Sequence, residues 1–168
     1  LLDERSAMND HAFVISLARA TTRAKNAQRL LDKLPMSGEL LPAVDGRAMT
    51  DDEIASVYVR ELHSPRYPFE LRANEVGCFL SHRKAWQAIV DRGLDAGLIL
   101  EDDVTVDDSR IGAAIECLRS HQSRFPYVQL PVRPIPNSAE TIFQSDGHAV
   151  RMSRVTLLRC SGQWVTRH

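Results

Sequence analysis

The sequence predicts an α/β domain whose largely parallel central sheet is flanked by helices. Two observations carry the prediction. Short apolar runs alternate along the chain with longer segments whose apolar residues recur at helical spacing, the pattern of successive strand–helix units. One of those runs, Leu98-Ile99-Leu100, is bounded by Gly97 and by three consecutive acids, as a buried strand ending at a ligand-bearing sheet edge would be. At 168 residues the chain suits one domain with a substantial core. Residues 1–12 read as an irregular lead-in and 13–168 as that single domain.

The elements follow in order. Phe13-Val14-Ile15-Ser16-Leu17 is a compact apolar run and the expected first strand. Thr22 is placed to cap a helix with Ala24, Ala27, Leu30, Leu31 and Leu34 on one face, stopped before Pro35. Leu40 to Val44 forms a second strand whose Pro42 marks a sheet edge, closed by the turn pair Asp45-Gly46. Thr50 to Arg60 spaces Ile54, Val57 and Tyr58 as a helix, and His63 to Leu71, with two prolines, reads as a loop. Asn74 to Arg92 is the clearest helix: Asn74 as cap, Glu75 at the positive end, Gly93 as the stop. Val76, Phe79, Leu80, Ala85, Trp86, Ile89 and Val90 give it a broad apolar stripe for a sheet. After the strand at Leu98, a helix is expected over Ile111 to Gln122 with Ile115 and Leu118 inward. Tyr127 to Leu130 is a strand, Pro131, Pro134 and Pro136 impose an irregular segment, and Val155 to Cys160 is the last strand.

Composition narrows the function. A formal net charge of −1 offers nothing to nucleic acid or an anionic surface, and no apolar run is long enough to span a bilayer. The first residues lack a basic segment followed by an apolar one, so no signal peptide is expected. Cys78, Cys117 and Cys160 are odd in number and widely spaced, which suits buried thiols in a reducing compartment and a cytoplasmic protein. The sequence has no Gly-x-Ser-x-Gly elbow, no His-Glu-x-x-His pair and no glycine-rich phosphate loop. His11, His63, His121, His148 and His168 show no ligand spacing.

Chemistry concentrates at Glu101-Asp102-Asp103. Three carboxylates at one point repel each other unless a cation or its ligand compensates them. The triplet therefore reads as a divalent-cation site at a strand end, serving a phosphate-bearing substrate. The plainer reading is that Asp102 or Asp103 turns the chain or caps the helix near Ile111. Arg23, just past the first strand, is placed to meet phosphate or to solvate the surface. Asp45-Gly46 could line a pocket or simply turn, and Ser81 and His82, mid-helix, could be structural.

The string Ala73-Asn74-Glu75-Val76-Gly77-Cys78-Phe79-Leu80-Ser81-His82, continuing through Trp86 to Leu98–Val104, resembles glycosyltransferase family 25. That family includes bacterial lipooligosaccharide galactosyltransferases and collagen-type galactosyltransferases. Val14–Leu17 with Arg23, Pro42–Gly46 and Cys160–Arg167 resemble further segments in the same order. Where the family's opening strand usually carries Asn, Leu and Asp, this chain has Ser16, Leu17 and Ala18. The resemblance implies a GT-A-like nucleotide-sugar-binding sandwich and transfer of a hexose, galactose first, from a UDP-sugar to a glycan or lipid-linked saccharide of lipooligosaccharide type. It implies inversion, Mn²⁺ or Mg²⁺ held by Asp103 with Glu101, and a donor site formed by Ser16, Leu17, Arg23, Asp45, Gly46, Ser81, His82, Glu101 and Asp102. The general base is unassigned. Family members normally continue past the equivalent of His168, so a C-terminal acceptor portion is expected to be missing, and peripheral association with an inner membrane is implied. A non-catalytic sugar-nucleotide-binding member, or a phosphohydrolase with Asp-x-Asp chemistry, are the competing expectations.

Overall fold

In the computed structural model, which describes residues 8–62, 64, 68–135, 137–154 and 159–167, β1 (Asp10–Ser16) starts inside the expected lead-in. Ala12 is fully buried and the strand is paired from Asp10, opposite Ala96. Main-chain pairing carries a strand into polar residues that an apolar run does not reveal. α1 (Thr21–Lys33) has Ala20 as its N-cap without a side-chain bond, so Thr22 lies inside the helix rather than capping it. Ala27, Leu30 and Leu34 turn inward, whereas Ala24 is exposed. Leu34 is extended before Pro35, as the ring's clash with the preceding residue requires.

β2 (Gly38–Pro42) lies two residues earlier than expected, on the sheet edge where Pro42 removes no needed ladder bond. Asp45 then starts a short 3-10 helix (Gly46–Ala48) by accepting from the Arg47 N–H. α2 (Asp51–Val57) is capped by Thr50 and Glu53 reciprocally and ends three residues short of Arg60. Of the expected His63–Leu71 loop, residues 63 and 65–67 lie outside the described residues.

α3 (Ala73–Asp91) is capped by Arg72, whose N–H donates to the Glu75 carboxylate at 2.7 Å, so Asn74 is a first-turn residue and not the cap. Gly93 ends it at φ +62°. Its buried face is Val76, Gly77, Ser81, His82, Ala85 and Ile89, while Phe79 and Val90 of the expected stripe are 47% and 55% exposed. Small residues win this face because the backbones come close. A Cβ on Gly77 would lie 2.7 Å from the Gly46 nitrogen, and one on Gly46 would lie 1.9 Å from the Ala73 carbonyl oxygen.

β3 (Ala96–Glu101) is buried along its length until Glu101. α4 (Ile111–Ser120) turns Ile115 and Leu118 inward, as their spacing requires. β4 (Tyr127–Gln129) is followed by an unforeseen hairpin, β5 (Glu140–Ser145) and β6 (His148–Met152). Its turn residues Asp146 and Gly147 both have positive φ, the hairpin-turn chemistry of an Asp-Gly pair. β7 (Gly162–Thr166) is the last strand among the described residues; of the strand expected at 155–160, residues 155–158 lie outside the described residues, and Arg159 and Cys160 are not in a strand.

The five-stranded sheet runs β2-β1-β3-β7-β4. β1, β2 and β3 are parallel, β7 is antiparallel to β3, and β4 is antiparallel to β7, so β7 alone is reversed. Ala12, Val14, Leu98 and Leu100 face a core with Leu30, Ile115 and Trp164. Phe13, Ile15 and Ile99 face the other, with Ala85 and Ile89. Covering both faces is why these strands read as continuous apolar runs. Among the described residues, no helix is long and apolar enough to cross a membrane.

Gly46→Ala should lower stability by at least about 2 kcal/mol in a denaturant melt, because the added methyl meets backbone that cannot rotate away. An unchanged midpoint would show that the 3-10 helix does not sit against α3.

Candidate functional site

Parallel pairing of β1 with β3 puts Ile15 opposite Glu101, so Ser16 stands beside Asp102 at the carboxyl edge of the sheet. The Ser16 hydroxyl donates to Asp102 Oδ2 at 2.8 Å, and Arg23 Nη1 lies 2.8 Å from Oδ1. Asp102 is only 3% exposed, and a carboxylate that deep persists only when paired in this way. Asn26 on α1 donates to the carbonyls of Asp102 (2.8 Å) and Val104 (2.9 Å), tying the acidic turn to that helix. Asp103 is different: its side chain is 54% exposed, with Arg23 Nη1 at 3.3 Å.

Glu101 turns toward α3. Its Oε1 receives His82 Nε2 at 3.2 Å and the Cys78 thiol at 3.5 Å. The His82 bond, helped by one from Ser161, holds this carboxyl below its ordinary range against the opposing effect of burial. Cys78 is an exposed residue by overall surface, but its sulfur points inward. Burial and the neighbouring Glu101 charge push its pKa to about 12, so it remains a thiol and donates. All three cysteines are free thiols as expected, but their expected burial is corrected, since Cys117 and Cys160 are also partly accessible.

Between the ends of β1 and β3, the start of α1, the 3-10 helix and α3 lies a cleft of about 370 Å³. Of the residues read from the sequence, Leu17, Arg23, Asp45, Gly46, Ser81, His82, Glu101 and Asp102 line it. Ser16 lies behind the wall, with its hydroxyl directed to Asp102, and Asp103 lies at the rim outside the lining. Ser81 is spent on construction: its hydroxyl donates to the Gly77 carbonyl at 2.7 Å and accepts from the Val44 N–H at 2.9 Å. Asp45 is engaged by the Arg19 guanidinium and the Arg47 N–H, which together hold its carboxyl below the usual range.

Arg19, Arg47, Asn74 and Cys78 also line the cleft and were not foreseen. Arg19 follows the first strand within the same loop that directed attention to Arg23. A separate cavity of about 940 Å³ between α4, β4 and the β5–β6 hairpin is mainly apolar and holds none of the predicted residues.

Cys78, His82 and Glu101 bring sulfur, nitrogen and oxygen ligand atoms within 4.8 Å of one another. That donor set is too soft for Mg²⁺ or Mn²⁺, which prefer all-oxygen sites. Of the triplet, Asp103 presents the most exposed carboxylate, while Glu101 Oε1 is already engaged by His82 and Cys78.

The family model described as glycosyltransferase family 25 (LPS biosynthesis protein) matches residues 9–146, which take in β1, the whole cleft and the acidic turn. The chain belongs to glycosyltransferase family 25. This family-25 chain is 34% identical over 121 residues to a glycosyltransferase 25 family member of Drosophila pseudoobscura pseudoobscura, covering 70% of this chain and 19% of that protein. It is 35% identical over 98 residues to procollagen galactosyltransferase 1 of Danio rerio, covering 56% of this chain and 16% of the relative. Over 138 residues it is 32% identical to the human inactive glycosyltransferase 25 family member 3, covering 79% of this chain and 23% of that protein. The chain thus spans about a fifth of the length of these relatives.

Arg23→Met should cost about 1–3 kcal/mol in a denaturant melt, less than a fully buried pair would because the guanidinium is 38% exposed. No loss would mean that Ser16 alone sustains the Asp102 charge. Glu101, held below an ordinary 4.5, contributes stability that is complete above that value and lost as pH falls through its lower folded value. Glu101→Gln should therefore flatten the acid limb of a plot of urea midpoint against pH, and a limb of unchanged slope would refute the lowered Glu101 carboxyl as a source of that stability.

Proposed function

We propose that this protein is a glycosyltransferase that moves a hexose, galactose first, from a UDP-sugar to a hydroxyl of a glycan or lipid-linked saccharide, with inversion, acting from the cytoplasm. The observation that carries this reading is a carboxylate run at the carboxyl edge of the sheet, bordering a cleft that also contains Arg23, in a family-25 chain. A cleft of this volume suits a nucleotide rather than an extended polymer. Galactose is favoured by the names of the procollagen galactosyltransferases among the relatives, and a lipopolysaccharide-type acceptor by the family description.

Arg23, in the first turn of an α1 whose N-cap offers no side-chain bond, would meet the diphosphate at that helix N-terminus. Glu101, at the cleft wall, would receive the ribose, with Gly46 letting the 3-10 helix sit against α3 to close the opposite wall. Mn²⁺ or Mg²⁺, held by Asp103 with Glu101, would supply a Lewis acid that offsets charge on the departing diphosphate. Asp102, fully engaged by Ser16 and Arg23, would keep the arginine aimed. The phosphohydrolase alternative would need a nucleophilic aspartate where Glu101 stands.

A non-catalytic member is the second reading. It is favoured by the human, cattle and mouse relatives named as inactive and by Ser16, Leu17 and Ala18 in the opening segment. The intact protein should bind UDP in the presence of Mn²⁺, and Asp103→Ala should weaken that binding at least about tenfold, the scale of one lost metal carboxylate. Absence of UDP binding, or binding indifferent to Asp103→Ala, would overturn the metal-assisted donor site. UDP binding without donor hydrolysis or transfer would favour the non-catalytic reading.

A further inference from the structure

Behind His82 lies a set of buried polar groups that decides which of its nitrogens carries the proton. Gln163, on β7, is fully buried. Its Oε1 lies 3.2 Å from Trp86 Nε1, and its Nε2 lies 3.1 Å from the Cys160 carbonyl oxygen and 2.9 Å from His82 Nδ1. An indole N–H only donates and a carbonyl only accepts. Both neighbours therefore dictate the same orientation of the amide, oxygen toward Trp86 and nitrogen toward Cys160. The amide hydrogen left over points at His82 Nδ1, which must accept it. The ring proton is then on Nε2, where it is donated to Glu101 Oε1 at 3.2 Å.

The same chain bears on the Cys78–His82–Glu101 cluster. Its sulfur–oxygen distance of 3.5 Å and nitrogen–oxygen distance of 3.2 Å resemble the edges of a zinc tetrahedron. With Zn–S of about 2.3 Å and Zn–N or Zn–O of about 2.0 Å, those edges would be about 3.5 and 3.3 Å. Coordination by Nε2 would drive the proton to Nδ1, against the N–H of Gln163. A ligating histidine normally donates its other N–H to an acceptor, and here a donor occupies that place. Turning the amide over would set its N–H groups against the Trp86 indole and its oxygen against the Cys160 carbonyl, leaving buried groups unsatisfied.

We propose that Gln163 and Trp86 are positioning residues that lock His82 as the Nε2–H tautomer, so that it orients Glu101 for the donor nucleotide instead of binding a metal. The proposal rests on the reading of Glu101 as a donor ligand. His82 and Trp86 lie four residues apart on α3, one turn, so both reach the same Gln163 side chain. Glu101 is thereby held from behind by a relay running from β7 through α3 to the end of β3.

The test is the ring of His82 in the intact protein labelled with ¹⁵N-histidine, assigned through its own backbone resonances. Long-range ¹H–¹⁵N correlations should show a proton on Nε2 and none on Nδ1, unchanged on adding Zn²⁺. A proton on Nδ1, or loss of the Nε2–H correlation on adding Zn²⁺, would overturn the lock. Gln163→Glu replaces the donor with an acceptor and should add a proton on Nδ1, giving an imidazolium between two carboxylates that ties Glu101 down and should weaken UDP binding about tenfold, the scale of one charge-assisted hydrogen bond. Should that variant not fold, Trp86→Phe removes the indole that orients the amide and is read the same way. Unchanged UDP affinity in a folded variant whose ring proton has moved would overturn the positioning role. Wild-type protein that binds no UDP would overturn the donor reading, whereas the tautomer is decided by the ring spectrum alone.

Discussion

The charge of Asp102, sunk at the end of the central strand, constrains everything around it. A carboxylate in that position is tolerated only if donors arrive from fixed directions, and they come from two neighbours on the chain's first unit: Ser16 at the end of β1 and Arg23 in the first turn of α1. Satisfying Asp102 therefore fixes where the loop from β1 to α1 runs and where the guanidinium points. Asn26, one turn further along α1, extends the grip to the backbone on either side of Asp103. The acidic turn is held by α1 along its length, while its outermost carboxylate remains open to solvent.

Consecutive residues at a strand end point to opposite sides, and that alternation divides the work of the triplet. Asp102 goes to the α1 side as an anchor. Glu101 goes to the α3 side, where His82 and Cys78 donate to it. Such a division makes one carboxylate structural and its neighbour available to the cleft, although composition alone gives them equal standing. The opposite wall depends on a second constraint, the backbone contact of Gly46 with α3 at Ala73 and Gly77, reinforced by the Ser81 hydroxyl bridging α3 to Val44. Bulk at either glycine would move the 3-10 helix away and open the cleft toward solvent.

Seen as chemistry, the cleft offers cationic side chains near a helix N-terminus and carboxylates at a sheet edge, the polarity that the proposed nucleoside diphosphate and its counter-ion would require. The histidine is drawn into this scheme as a hydrogen-bond donor. Its role depends on residues from β7, the reversed strand, so the strand that departs from the parallel pattern is also the one that orders the site from behind.

The sequence by itself determined the central strand and its acidic end, the two helices that hold most of the core, the edge position marked by Pro42 and the stop at Gly93. Each of these is decided locally, by an apolar run, a helical period, a missing N–H or a residue that tolerates positive φ. Helix caps at Ala20 and Arg72 were not legible, because the stronger capping residues nearby, Thr22 and Asn74, lie two residues too late. The β5–β6 hairpin had its signal in Asp146-Gly147, which the preceding prolines obscured. Only the tertiary structure decided that Asp102 is an anchor, that Ser81 is a wall post and that Gln163 sets the proton on His82. Those roles come from partners 86, 37 and 81 residues away, and local pattern carries no information about contacts made at that distance along the chain.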